Sequence, residues 1–206
     1  MEITKLPQTD PRLPLPLYES IKIAEAENAG ELFDIVLGLT KELVQKLKER
    51  AVDDSDEELK ATSDRKRFGE GSYEEWYKKE RVPFALVHQK TGALAALAWF
   101  GPKPLGRKSA RRLSPKERLE NEQALNAENW HTISYRSYPP FRGKGLMKKF
   151  AGFTLEYYAE RFPNVRFWAG TDSKNPASMK LAEALGFKID ENASDPEEHW
   201  TVMVKE

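Results

Sequence analysis

Hydrophobic positions along this chain keep two periods, and the changes of period mark its elements. Leu32, Ile35, Val36, Leu39, Leu43 and Leu47 recur at helical spacing. Asn28 with Glu31 three residues on resembles a capping box, so the pattern predicts an amphipathic helix running to about Arg50. Before it, Tyr18 to Ala24 reads as a strand, and Pro7, Pro11, Pro14 and Pro16 make residues 1–17 an extended arm. Beyond the acidic run Asp53–Glu58, one or two short helices are expected around Gly69–Gly71, anchored by Phe68, Tyr73, Trp76 and Tyr77. Val82–Val87 and Ala93–Phe100 are two strands about the turn Lys90-Thr91-Gly92, and Gly101-Pro102 stops the second. Residues 103–129 are a charged insertion, helix-permissive from Ser114-Pro115 to about Asn126. Then follow a strand (Trp130–Ser137), a helix (Leu146–Phe162), a short strand (Val165–Ala169) and a helix (Pro176–Leu185) ended by Gly186. Strands at Phe187–Ile189 and His199–Lys205 close the chain. This order predicts one α/β domain over 18–206, a mixed sheet covered by helices on both faces.

Composition narrows the chemistry. With 206 residues and 39% apolar content, one buried core is expected rather than two. Net charge is zero, so any attraction for a polyanion must be local. The absence of cysteine removes disulfides, thiolate catalysis and cysteine-ligated zinc. His88, His131 and His199 lack metal-ligand spacing, so no metal is expected. Met1-Glu-Ile-Thr-Lys has no signal-peptide core, and the longest apolar run, Ala93–Phe100, is too short to cross a bilayer. The expected location is cytoplasmic, with no membrane partner; oligomeric state is not legible.

The informative stretch is Arg142-Gly143-Lys144-Gly145-Leu146, between a strand and a helix. A helix start presents unpaired N–H groups and the positive end of the dipole. Two glycines there let the chain curl around a phosphate, with Arg142 and Lys144 adding positive charge. Asn175-Pro-Ala-Ser178 opens a second helix about thirty residues on. A tight turn alone would also use the glycines, and a helix cap alone would use Asn175.

Taken together, Pro140-Phe141-Arg142-Gly143-Lys144-Gly145, Asn175-Pro176-Ala177-Ser178 and Gly186-Phe187 resemble the GNAT acyltransferases. That family carries Q/R-x-x-G-x-G/A, then N-x-x-S/A, then G-F, at similar spacing and in the same element order. The resemblance implies a GNAT-like, mostly antiparallel sheet with a V-shaped split between two central strands. It implies acetyl-CoA as co-substrate, its diphosphate held by the amides of Arg142, Gly143, Lys144, Gly145 and Leu146 and screened by Arg142 and Lys144. The pantetheine arm would pair with backbone near Ser137 and Tyr138, with Asn175 bonded to it and Ser178 facing it. Two departures stand out: Pro140 replaces Gln or Arg, and Ala182 occupies the place where many relatives carry a tyrosine that protonates the departing thiolate.

Acyl transfer to an amine needs a base, a polarised carbonyl and a protonated leaving thiol. His131 is the first candidate base and Glu128 the second; Tyr135 and Tyr138 are candidate acids. His131, Tyr135 and Tyr138 also suit packing roles in the sheet. The implied partners are a CoA thioester and an amine-bearing small molecule or peptide. Two other readings stay open: a catalytically silent CoA-binding module, and a protein that docks nucleic acid through the basic residues Lys103–Arg118. Zero net charge and the lack of a recognised motif argue against nucleic acid.

Overall fold

The computed structural model describes residues 1–7, 10–62, 67–106 and 129–205. The expectations on residues 107–128, including Glu128, lie outside these. The chain forms a mixed α/β fold of mostly antiparallel strands, and its described residues gather into two compact units.

The first unit is Met1–Trp99 with Tyr135–Thr154. It contains β1 (Glu2–Lys5), β2 (Ser20–Asn28), β3 (Glu31–Gly38) and β4 (Val82–His88), neighbours in that order and antiparallel. It also contains most of β5 (Leu94–Pro102), the end of β6 (Trp130–Ser137) and the start of α4 (Leu146–Arg161). Helices α1 (Lys41–Val52), α2 (Glu57–Thr62) and α3 (Tyr73–Tyr77) complete it.

The expected helix from Asn28 is corrected in its first half: Glu31–Gly38 is a strand. Ala29 and Gly30 have φ of 51° and 78°, the left-handed pair that a two-residue hairpin turn requires. Asn28 and Glu31 therefore face each other across the hairpin instead of capping a helix. Phe33, Ile35 and Leu37 are buried at period two, while Leu32 is 48% exposed. The true cap is Thr40, whose hydroxyl accepts from the Leu43 amide at 3.2 Å. The proline arm also contains a strand, β1, and is pinned by Leu15. That side chain is buried, and its carbonyl accepts from the Tyr77 hydroxyl at 2.7 Å.

One face of this unit's strands (Val36, Ala85, Leu97, Trp99) packs under α1–α3 against Leu43, Leu47, Phe68, Tyr73 and Trp76. Each leucine or phenylalanine there, taken out of water, contributes roughly 1.5–3 kcal/mol. Phe141 lies on the opposite face, edge-on to Phe33 at 5.6 Å.

The second unit is Phe100–Ser134 with Leu155–Glu206. Within it β6 pairs in parallel with β7 (Arg166–Asp172), from Trp130↔Arg166 to Thr132↔Trp168. Beyond Thr132 and Trp168 the two strands continue without pairing to each other among the described residues. β7 pairs instead with β9 (Trp200–Lys205) as far as Asp172↔Trp200, and β8 (Lys188–Ile189) adds to β9. Trp200 fits only because residue 170 is glycine: a Cβ there would fall 2.2 Å from the indole. The helix α5 (Pro176–Ala184) ends before Gly186, whose φ of 89° suits glycine. Among the described residues no helix is long and apolar enough to cross a membrane.

Candidate functional site

The end of β6 is bent into the glycine loop by its own backbone. The Tyr138 amide donates to the Ala95 carbonyl at 2.9 Å, holding the chain against β5. The Tyr138 carbonyl then accepts from the amides of Phe141 and Arg142, at 2.9 and 3.1 Å. Phe141 fixes the turn by burying its ring beside Phe33 and His88.

Arg142 is held twice over. Besides its amide bond, its guanidinium makes a bidentate pair with Asp56, Nη1–Oδ1 and Nη2–Oδ2 both 2.7 Å. Nη2 also donates to the Ser137 carbonyl at 2.8 Å. Arg142 thus lies next to the glycines with its positive charge matched by a carboxylate. Those bonds hold Asp56 below the usual carboxylate range, against the opposing pull of burial. Asp56 was not legible as part of this site, because it lies 86 positions away and reads locally as a cap. It is one too: Oδ1 accepts from the Leu59 amide at 3.0 Å at the start of α2.

Gly143 and Gly145 follow with φ of 79° and 73°. A Cβ built on either meets nothing within 4 Å, so both border open space. Among the described residues no protein group accepts from the amides of Gly143, Lys144, Gly145 or Leu146. Four donors at the start of α4 are thus left for a ligand or water. Gly143, Gly145 and Leu146 border a hollow of about 200 Å³ whose other walls include Ala95, Ala96, Ser137 and Met147. Lys144 is 41% exposed, with Nζ 3.3 Å from Glu31. Started from Arg142, the pattern Q/R-x-x-G-x-G/A finds its Arg and, at Gly145, its first glycine, but Met147 stands where Gly or Ala is required.

The two tyrosines proposed as acids part company. Alternation along β6 places Arg136 and Tyr138 on the α1–α3 face: Arg136 lies over the Phe68 ring at 5.0 Å, and Tyr138 is fully buried in that cluster. Burial raises the Tyr138 pKa. Tyr135 and Ser137 point to the other face, where Ser137 lines the hollow.

In the second unit, His131 is buried, with Nδ1 2.6 Å from the Tyr158 hydroxyl and its ring against Phe162. Asn175 caps α5, Oδ1 accepting from the Ser178 amide at 3.0 Å. Asn175 and Ser178 are both half-buried. Ala182, 1% exposed, is a core residue. Among the described residues no cluster of histidine and carboxylate groups could hold a metal.

The family pattern described as Acetyltransferase (GNAT) domain matches residues 41–188. No curated protein matches the sequence. Among solved structures, the chain is similar to the ribosomal-protein-S5-alanine acetyltransferase of Vibrio fischeri, with TM-score 0.58 and 12% identity, over 88% of this chain and 95% of that one. It is similar to the GNAT domain of S. lividans PAT, with TM-score 0.57 and 17% identity, covering 88% and 96%. It also resembles the spermidine N-acetyltransferase of Vibrio cholerae in complex with CoA and spermine, with TM-score 0.54 and 11% identity, covering 82% and 92%.

Proposed function

Because the chain belongs to the GNAT acetyltransferase family, we propose that it moves an acyl group, acetyl by default, from a CoA thioester directly to a primary amine. The observation that carries this reading is the glycine loop: two left-handed glycines against open space, with four unclaimed amides at a helix start. Such an array fits a diphosphate, which needs convergent N–H donors and positive potential. The donors assigned are Gly143, Lys144, Gly145 and Leu146, with the Lys144 ammonium beside them. Asn175 and Ser178 are assigned to the same donor molecule on the family pattern. Two of these similar proteins are named for their acceptors, spermidine and a ribosomal-protein alanine, and both are amines, which supports an amine here without choosing one.

Chemically, the amine nitrogen bonds to the acyl carbon, the carbon–sulfur bond breaks, the new ammonium loses a proton and the thiolate gains one. Tyr135 is assigned as the acid, since it shares a strand face with Ser137 and Ala182 cannot serve. Tyr138 is assigned no proton, because its hydroxyl is sealed in the opposite face. His131 is assigned structure through Tyr158, and the base is left to solvent. Soluble CoA thioester and amine fit a cytoplasmic reaction.

Thermal unfolding with acetyl-CoA and with CoA tests binding. At a hundredfold excess over Kd the folded state gains about 2.7 kcal/mol, roughly 5–10 °C for a chain of this size. Release of CoA thiol with an amine panel tests transfer. An unmoved midpoint would sink the proposal, and binding without turnover would favour the silent module that Ala182 also suits.

A further inference from the structure

Asp56 and Arg142 form a pair that the proposed reaction does not consume. Its guanidinium is saturated on one edge by Asp56 Oδ1 and Oδ2 and by the Ser137 carbonyl. The Asp56 side chain is 3% exposed and that of Arg142 20%, with Glu58 a looser neighbour at 3.4 Å. Arg142 immediately precedes Gly143, so whatever fixes Arg142 fixes the frame from which the two left-handed glycines start. Nothing else packs where their side chains would be. A loop of that kind, without such a tether, samples many conformations and must be ordered when a ligand arrives.

We propose that Asp56 is a positioning residue for the diphosphate loop: through Arg142 it holds the amides of Gly143 to Leu146 aimed into the hollow before any ligand binds. This rests on the reading that the loop takes a diphosphate. It also assigns Arg142 a different task from the one its charge suggests. An arginine beside a phosphate loop is expected to meet the anion, and a neighbouring carboxylate is expected to weaken that contact. Here the carboxylate supports binding, because order in the loop matters more than one additional cation.

The two views give opposite signs for one substitution. Asp56→Asn keeps an oxygen to cap α2 but loses the charge and the bidentate geometry. If Arg142 were a phosphate ligand held back by Asp56, the variant would bind CoA and inorganic pyrophosphate more tightly. Positioning predicts that both bind roughly tenfold more weakly, the cost of about one misplaced charge-assisted hydrogen bond. Arg142→Ala should cost about the same, the double variant no more than the worse single, and Arg142→Lys should recover part of the loss. KM for the acyl donor should rise while kcat at saturation changes little. A strut that only stabilised the fold would lower the unfolding midpoint and leave Kd unchanged below it.

The experiment is calorimetric titration of the full chain with CoA and with pyrophosphate, paired with amide exchange of residues 143–146. Weaker binding and faster exchange in Asp56→Asn, together, are expected. Equal or tighter binding, or multiplicative losses in the double variant, would overturn the positioning role. If the native protein bound neither probe, the diphosphate reading would fall. Exchange rates would still decide whether Asp56 orders the loop: unchanged rates would end that claim as well.

Discussion

The glycine loop makes a prediction that separates backbone strain from ligand binding. Gly143, Gly145 and Gly186 have φ of 79°, 73° and 89°. Alanine at any of the three is sterically admitted: its Cβ meets nothing within 4 Å at the first two, and only ordinary contact with Lys205, at 3.4 Å, at the third. The cost is therefore conformational, about 1–2 kcal/mol for each L-residue held left-handed. For a chain of this size that lowers the unfolding midpoint by roughly 2–8 °C in each variant. Binding should divide them. At Gly143 or Gly145 the strain can relax by turning the peptide, which carries a donor away from the hollow. Losing one hydrogen bond to a charged group costs about 1.5–3 kcal/mol, roughly ten- to a hundredfold in CoA affinity. At Gly186 the amide donates to the Glu183 carbonyl at 2.9 Å, and relaxation changes only the end of α5. Scanning fluorimetry gives the midpoints and calorimetric titration the affinities. Equal affinity in all three variants, with equal loss of stability, would refute the assignment of the loop amides.

Three further outcomes are expected. Glu31→Gln should tighten CoA binding, because Lys144 is then no longer shared; an exposed pair is worth about 0.2–1 kcal/mol, so the gain is a few-fold at most and should fade with salt. Looser binding in a low-salt titration would count against Lys144. Tyr77 has its pKa raised by burial from 10.0 to about 12, so the unfolded chain ionises first and stability falls as pH climbs from 10 through 12. Tyr77→Phe should lose about 1 kcal/mol at neutral pH with its bond to Leu15, yet show a shallower alkaline decline in urea unfolding; an unaltered slope would contradict this. Ala182→Tyr, which restores the residue many relatives carry, should cost about 1–3 kcal/mol by overpacking and not raise kcat. A faster enzyme with an unchanged midpoint would show instead that the site has room for an acid.

What the sequence settled by itself was local or strongly periodic. The β4–β5 turn, the strand β6, the helix after the glycine loop and the Asn175 cap are each encoded within a few residues, by glycine, proline, a capping side chain or an unbroken period. The segment 31–38 carries a helical spacing in Leu32, Ile35, Val36 and Leu39, whereas the set buried in the strand is Phe33, Ile35 and Leu37. Only pairing with β2 and β4 chose between the two periods. The same limit applies at the site. Spacing brought Arg142 and the glycines together but could not show that Arg142 is claimed by Asp56, 86 positions earlier. Nor could it show that Tyr135 in β6 and Tyr138 just past its end face opposite ways until the strand had a covered side. Contacts between distant segments carry no signature in either segment alone. They arise when hydrophobic burial folds the chain back on itself, and tertiary structure therefore decided which charges are spent and which amides stay available.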